Sequence, residues 1–256
     1  MKSPVIFLDD AGVLNSNRLR GPQWNIHIGQ FMADRYGGEP EAWGEANRAI
    51  ATKIVTPEFR NQTRARLSLR ELTFEAFELA YANAWLTGMF EMVRIRFPNH
   101  IDQLALHREA HVYACEHVRA EIAGATDAVR HLHSCGCKLH LASNGASYEN
   151  EAILRCMGIR SEFGEAYGTD IVNVMKEGGR FYEAIFRHAC IEPDDAIVVD
   201  DKCAMLAYAA EIGAYTVCVG EDKTADFQPD ARVSHLSELT IDSVQMLTNL
   251  PRNHKR

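Results

Sequence analysis

Val5-Ile6-Phe7-Leu8-Asp9-Asp10-Ala11-Gly12-Val13-Leu14 is the stretch that decides the fold. Four apolar residues run directly into a carboxylate and then a glycine. A short run with no polar face reads as a strand buried on both sides, which means a parallel sheet covered by helices. Open sheets of that kind bind ligands in the crevice beyond the carboxyl ends of their strands, and Asp9 is delivered there. Side chains alternate along a strand, so Asp10 points away from the same edge.

Beyond Leu14 the pattern changes. From about Asn15 to His117 no convincing strand appears. Trp24, Ile28, Phe31 and Met32 recur at helical spacing, and Gly37-Gly38 ends that helix. Further helices are read over Ala42 to Ile54, Leu72 to Tyr81, Trp85 to Val93 and Ile101 to His117, with Pro98 as a break. Arg60, Arg64, Arg66 and Arg70 read as a solvated helix face. Trp24 and His27 read as core and surface of this block.

Strand and helix then alternate. Strands are read at Lys138–Ala142, Gly164–Tyr167, Ala196–Val199 and Tyr215–Val219. Helices are read at Ala125–Cys135, Glu149–Met157, Gly179–Cys190 and Cys203–Ile212. Repeated strand–helix units specify a parallel sheet with helices on both faces. The predicted architecture is α/β: a doubly wound core of residues 1–14 and 118–256, with an all-helical cap of residues 15–117 inserted after the first strand. Pro251 to Arg256 reads as a frayed tail.

Composition narrows the function. The 256 residues carry 27 basic and 35 acidic groups, a net charge of −8, with no dense Lys/Arg stripe. That balance argues against nucleic acid as a partner. No apolar stretch is long enough to span a membrane. Met1-Lys2-Ser3-Pro4 leads straight into the first strand, so a signal peptide is not expected, and the chain reads as cytosolic. The seven cysteines lack a disulfide or zinc framework; Cys135-Gly136-Cys137 has neither spacing. The eleven histidines show no metal-ligand spacing.

A parallel sheet gathers the tips of its strands on one edge. Here those tips carry Asp9, Ser143-Asn144 and Asp200-Asp201, and Lys176 lies on a loop that reaches the same edge. Carboxylates, a lysine and a hydroxyl make a site for a divalent cation and a phosphoryl group, and hard oxygen ligands suit Mg²⁺. The cation and lysine neutralise a phosphate so that a carboxylate can approach it.

These residues resemble the haloacid dehalogenase superfamily, motif by motif and in order. Phe7-Leu8-Asp9 through Leu14 resembles the first motif, with Asp9 at the nucleophile. Leu141-Ala142-Ser143-Asn144 resembles the second, whose hydroxyl and neighbours hold the substrate's phosphoryl oxygens. Lys176, with Phe181 and Phe186 downstream, resembles the third, although Glu177 stands where proline is usual. Val198-Val199-Asp200-Asp201 resembles the fourth, the metal-binding acids. Gly213-Ala214-Tyr215-Thr216-Val217 and Leu236-Ser237-Glu238-Leu239 follow as they commonly do. Lys202 and Met205 replace polar residues frequent in the fourth motif.

The resemblance implies Asp9, Ser143 and Lys176 as catalytic groups. It implies Ser143, Asn144 and Lys176 as substrate-binding groups, with Asp9, Asp200, Asp201 and the backbone carbonyl of Ala11 around Mg²⁺. The implied reaction is hydrolysis of a small phosphorylated metabolite through an aspartyl-phosphate, with a homodimer left open. One position departs. Ala11 stands where superfamily phosphatases carry the Asp that protonates the leaving oxygen, a contribution of about 10²- to 10⁴-fold. The alternatives are therefore cleavage of a phosphonate C–P bond, with Lys53 as the only cap lysine able to form an imine, haloacid dehalogenation, and a catalytically weak phospholigand-binding protein. The acidic pair Asp200-Asp201 argues against dehalogenation.

Overall fold

The computed structural model describes residues 3–222 and 226–249; the predicted frayed tail, Pro251 to Arg256, lies outside them, as do Met1 and Lys2. Strand β1 (Val5–Leu8) is fully buried. It pairs in parallel with β2 (Lys138–Ala142) on one side and β4 (Ala196–Asp200) on the other. β3 (Phe163–Tyr167), β5 (Tyr215–Val219) and β6 (Ala231–Val233) complete a six-stranded sheet in the order β3-β2-β1-β4-β5-β6. β6 was not read from the sequence. It is three residues long and only half-buried, so it lacks the apolar run that betrays the other strands.

Residue parity sorts the core into two layers. Ile6 and Leu8 face one cluster, with Leu139, Leu141, Ile197 and Val199. Helices α6 (Ala125–Ser134), α7 (Ser147–Cys156) and α11 (Ile241–Thr248) cover that face. Val5 and Phe7 face the other cluster, where α9 (Gly179–His188) and α10 (Cys203–Glu211) lie. α8 (Thr169–Val172) is a single turn. The strand order reverses direction between β1 and β4, the position where doubly wound sheets open a crevice.

Between β1 and α6 lie α1 (Asn17–Tyr36), α2 (Pro40–Ile54), α3 (Pro57–Ser68), α4 (Phe74–Val93) and α5 (Gln103–His117). They bury their own core around Trp43, Trp85, Met89 and Phe90. Two predicted helices merge into α4, because Ala82-Asn83-Ala84 contains nothing that breaks a helix. α3 starts where Pro57 sets the first turn and Thr56 caps it, its hydroxyl accepting from Phe59 N at 3.1 Å. α5 packs on α7, so the helical block rests on the sheet's β2 side. No helix among the described residues is long and apolar enough to cross a membrane.

Candidate active site

The three strand tips do meet. β1 lies between β2 and β4, so Asp9 is flanked by Ser143 and Asp200. Asp9 N donates to Val199 O at 2.9 Å, which continues the β1–β4 ladder and fixes the carboxylate at the crevice. One carboxylate oxygen each from Asp9, Asp200 and Asp201 lies within 4.8 Å of the others. Asp9 and Asp200 are buried and Asp201 is half-buried.

Lys176 enters this group from the loop before α9. Its Nζ donates to Asp9 Oδ1 and to the carbonyl of Ala142, each at 2.7 Å, and pairs with Asp200 Oδ2 at 2.7 Å. Three donors thus meet three oxygens. The two carboxylates hold the ammonium charged, far above its ordinary range, despite burial that opposes it. Asp9 is pushed towards its neutral form: burial raises it to about 7, helped by Asp200 and resisted by Lys176. Burial also raises Asp201, against the pull of Lys202, whose Nζ lies 2.7 Å from it.

The turn after β1 shapes the rest. The carbonyl of Asp10 accepts from Leu14 N at 2.8 Å and Asn15 N at 2.9 Å. Gly12 has φ +94°, and a Cβ there would lie 2.3 Å from the Asp201 carboxylate. Glycine is therefore required both by the turn and by the approach of Asp201 to this loop. Asp10 points away as alternation predicts. It pairs with Arg20 at 2.6 Å and accepts from Asn15 Nδ2 at 2.8 Å, tying the turn to α1. Ala11 offers no side-chain oxygen; its neighbour Gly12 donates to Asn15 O at 2.7 Å.

This donor set fits a hard divalent cation. Three carboxylates converge, and a single ammonium, 2.7 Å from Asp9 Oδ1 and from Asp200 Oδ2, offsets only part of their charge. Hard carboxylate oxygens gathered this closely suit an ion such as Mg²⁺. Asp9, Asp200 and Asp201 are the groups whose oxygens converge to hold it.

Ser143 is buried at the β2 tip, with its amide bound to Tyr167 O at 3.0 Å. Asn144 does something not foreseen. Its Oδ1 accepts the backbone N–H of Lys176 at 2.9 Å, so it positions the lysine loop. Glu177, out of place for the third motif, accepts from Arg64 of α3 at 2.8 Å. The arginines are thus not all a solvated face: Arg64 bridges the helical block to the core, and Arg60 lines a cavity. Lys53 is exposed on α2, beside a groove between α2 and α4 that none of the strand-tip residues lines. Trp24 packs edge-on against His111. His27 stacks near His117, and neither Trp24 nor His27 reaches the carboxylates.

Two features escaped the sequence. Tyr182 places its hydroxyl, buried and without a hydrogen-bond partner, in the electrostatic field of Lys176, Asp200 and Asp9. A cavity of about 470 Å³ also lies between α3, α4 and α5 and the loop after β2.

Comparison with known proteins agrees with this geometry. The model of the haloacid dehalogenase-like hydrolase family matches residues 25–213, well over half of the chain. The match begins after Asp9 and does not include it. No curated protein matches the chain significantly in sequence. Similar solved structures include the 2-haloacid dehalogenase of Pseudomonas syringae pv. Tomato DC3000, with TM-score 0.62 and 15% identity over 96% of this chain and 99% of that one. The L-2-haloacid dehalogenase of Xanthobacter autotrophicus with chloropropionic acid covalently bound gives 0.57 and 12%, covering 98% and 100%. The hydrolase YfnB of Bacillus subtilis bound to magnesium gives 0.59 and 12%, covering 98% and 100%. At these identities the likeness concerns the fold.

Proposed function

From the premise that the chain belongs to the haloacid dehalogenase-like hydrolases, we propose that it is a Mg²⁺-dependent hydrolase of small phosphorylated compounds whose leaving group departs without a proton. The observation that carries this reading is the convergence of Asp9, Asp200 and Asp201 beside Lys176. One lysine cannot neutralise three carboxylates and an incoming phosphate. A divalent cation, when bound, balances that charge and polarises the phosphoryl oxygens.

The chain's residues then do the following. Asp9 Oδ attacks phosphorus as the bond to the leaving oxygen breaks, and that oxygen takes the electron pair. Lys176 and Ser143 hold the equatorial oxygens as charge develops on them. Water next attacks phosphorus of the aspartyl-phosphate, which restores the Asp9 carboxylate and releases inorganic phosphate. Lys176 also holds Asp9 in place through the 2.7 Å contact. Ala11 supplies no acid to the first step and no base to the second, so a stable leaving anion is favoured.

A second reading has its own support. Several similar structures are haloacid dehalogenases, and a halide also leaves without a proton. In that reaction Asp9 attacks carbon, halide departs, and water cleaves the ester. The comparisons lean towards this reading, the three carboxylates towards phosphoryl transfer. The phosphonate reading loses support, because Lys53 lies beside a different groove.

The test is a leaving-group series. The native chain should hydrolyse aryl phosphates far faster than alkyl phosphates, and Ala11→Asp should raise the alkyl rates by up to about 10²- to 10⁴-fold. A flat series in kcat/KM, which reports the leaving-group step and not the later hydrolysis, would show that another group supplies the proton. Halide release from 2-haloacids without phosphate release from any ester would move the assignment to the second reading.

A further inference from the structure

The cavity beneath the helical block is unlike the carboxylate site. One wall is aromatic, with Phe59 on α3 and Phe74, Phe77 and Tyr81 on α4. Its floor is Asn144, Gly145 and Ala146 of the β2–α7 loop, together with Met175 and Glu177, the two residues that flank Lys176. The same loops therefore carry the reacting groups and one wall of the cavity. A volume of about 470 Å³ holds a group of one or two aromatic rings.

One polar side chain in this wall is unanswered. His107 on α5 is 3% exposed, and neither ring nitrogen has a hydrogen-bond partner. Its neighbours are committed elsewhere. Glu78 accepts from Arg108 and from the Tyr148 hydroxyl, each at 2.6 Å, and its nearest oxygen is 3.7 Å from His107 Nδ1. His111 Nδ1 is 2.5 Å from Glu149, which also caps α7 by accepting from Ala146 N at 3.2 Å. Burial keeps His107 well below its ordinary range, at about 4, so at neutral pH the ring is uncharged, with one donor and one acceptor nitrogen. Leaving such a group buried and unpaired is unfavourable, because its hydrogen bonds to water are lost and not replaced. A ligand that supplies the missing partner removes that penalty.

We propose that this cavity is the subsite for the substrate's leaving group, and that it takes an aromatic group bearing one uncharged hydroxyl or carbonyl, read by His107. The inference rests on the proposed reaction for the word leaving group, and on the cavity alone for the ligand class. It also explains Ala11, because a phenolate needs no proton to depart. His107 is then a specificity-determining residue.

The experiment compares 2-naphthol with 2,7-dihydroxynaphthalene as ligands of the full chain, by calorimetry, and their monophosphates as substrates. The native protein should bind the diol about five- to tenfold more tightly, the effect of one added hydrogen bond. His107→Leu should abolish that ratio, and His107→Gln, which can still pair, should keep part of it. The monophosphates should show the same ratio in KM. Equal binding of the two naphthols by the native protein, or an unchanged ratio in His107→Leu, would overturn the proposal. Should His107→Leu fail to fold, the comparison of native with His107→Gln and with Phe77→Ala, which should weaken both naphthols, decides it. Preferential binding of the diol without phosphate release would sustain the subsite and sink the reaction.

Discussion

The strand-tip site and the cavity beside it are both buried and polar, yet they are built on opposite terms. At the strand tips each donor of Lys176 faces an oxygen, and the excess charge is carboxylate. In the cavity Glu78 is held by Arg108 and Tyr148 and Glu149 by His111, and what is left over is one neutral ring with no partner. Charge left over in a site calls for a cation; an unpaired neutral group calls for a hydrogen bond. The first site is suited to chemistry on an anion, the second to recognition of an uncharged arm.

The largest effect should come from the carboxylate side. Asp9→Asn replaces a nucleophile with an amide and should lower turnover on the order of 10⁴- to 10⁶-fold, with the circular dichroism spectrum unchanged. Substantial activity in that variant would place the nucleophile elsewhere. Next is Lys176→Met, which leaves Asp9 and Asp200 buried without their counter-charge. Denaturant unfolding without added metal at pH 8 should show a loss of about 3–5 kcal/mol. Saturating Mg²⁺ should restore part of it if the carboxylates take the cation. A loss that Mg²⁺ leaves untouched would mean that the lysine only packs there.

The cavity should respond in the opposite direction. His107→Leu removes an unpaired buried ring and should stabilise the protein by about 1–2 kcal/mol at pH 7.5. The sign with pH follows from burial. The folded state holds His107 at about 4, below the ordinary value, so its neutral form is favoured by folding. That contribution is present above about 6.5 and is lost as pH falls towards 4, by up to about 3 kcal/mol. His111, Glu78, Glu149 and Tyr81 face the same ring and set the background. Native stability should therefore fall more steeply between pH 6.5 and 4.5 than that of His107→Leu. Parallel curves would show that His107 already has a partner in solution.

How far each site was legible in sequence follows the same division. Asp9, Ser143 and Asp200 end apolar strands, and a parallel sheet brings strand tips together whatever their separation in sequence. Period-two alternation also placed Asp10 correctly, on the side of Arg20. Lys176 sits on a loop, where no periodicity fixes a side chain; its loop put it within reach of the strand tips, and the resemblance implied its role. The cavity was not legible. Glu78, His107, His111 and Glu149 lie on three helices, and each taken alone reads as ordinary helix surface. His107 and His111 are four apart, which puts them on one face of α5, but nothing local says that this face is covered by α4 and α7. The contact that Asn144 makes was not legible either: the resemblance implied substrate binding, and nothing in the sequence pointed to the hydrogen bond from Lys176 N to its Oδ1. β6 and the unbroken α4 were missed because a weak strand and a breaker-free junction carry no local signal.

If the three carboxylates gather a cation for phosphoryl transfer, phosphate release must follow a Mg²⁺ titration. The full chain is stripped with chelator and assayed on 1-naphthyl phosphate as Mg²⁺ is returned. The account predicts no release in chelator and a saturable return of activity with Mg²⁺. Full activity in excess chelator would contradict it, and so would chloride release from 2-chloropropionate with no phosphate release at any Mg²⁺ concentration.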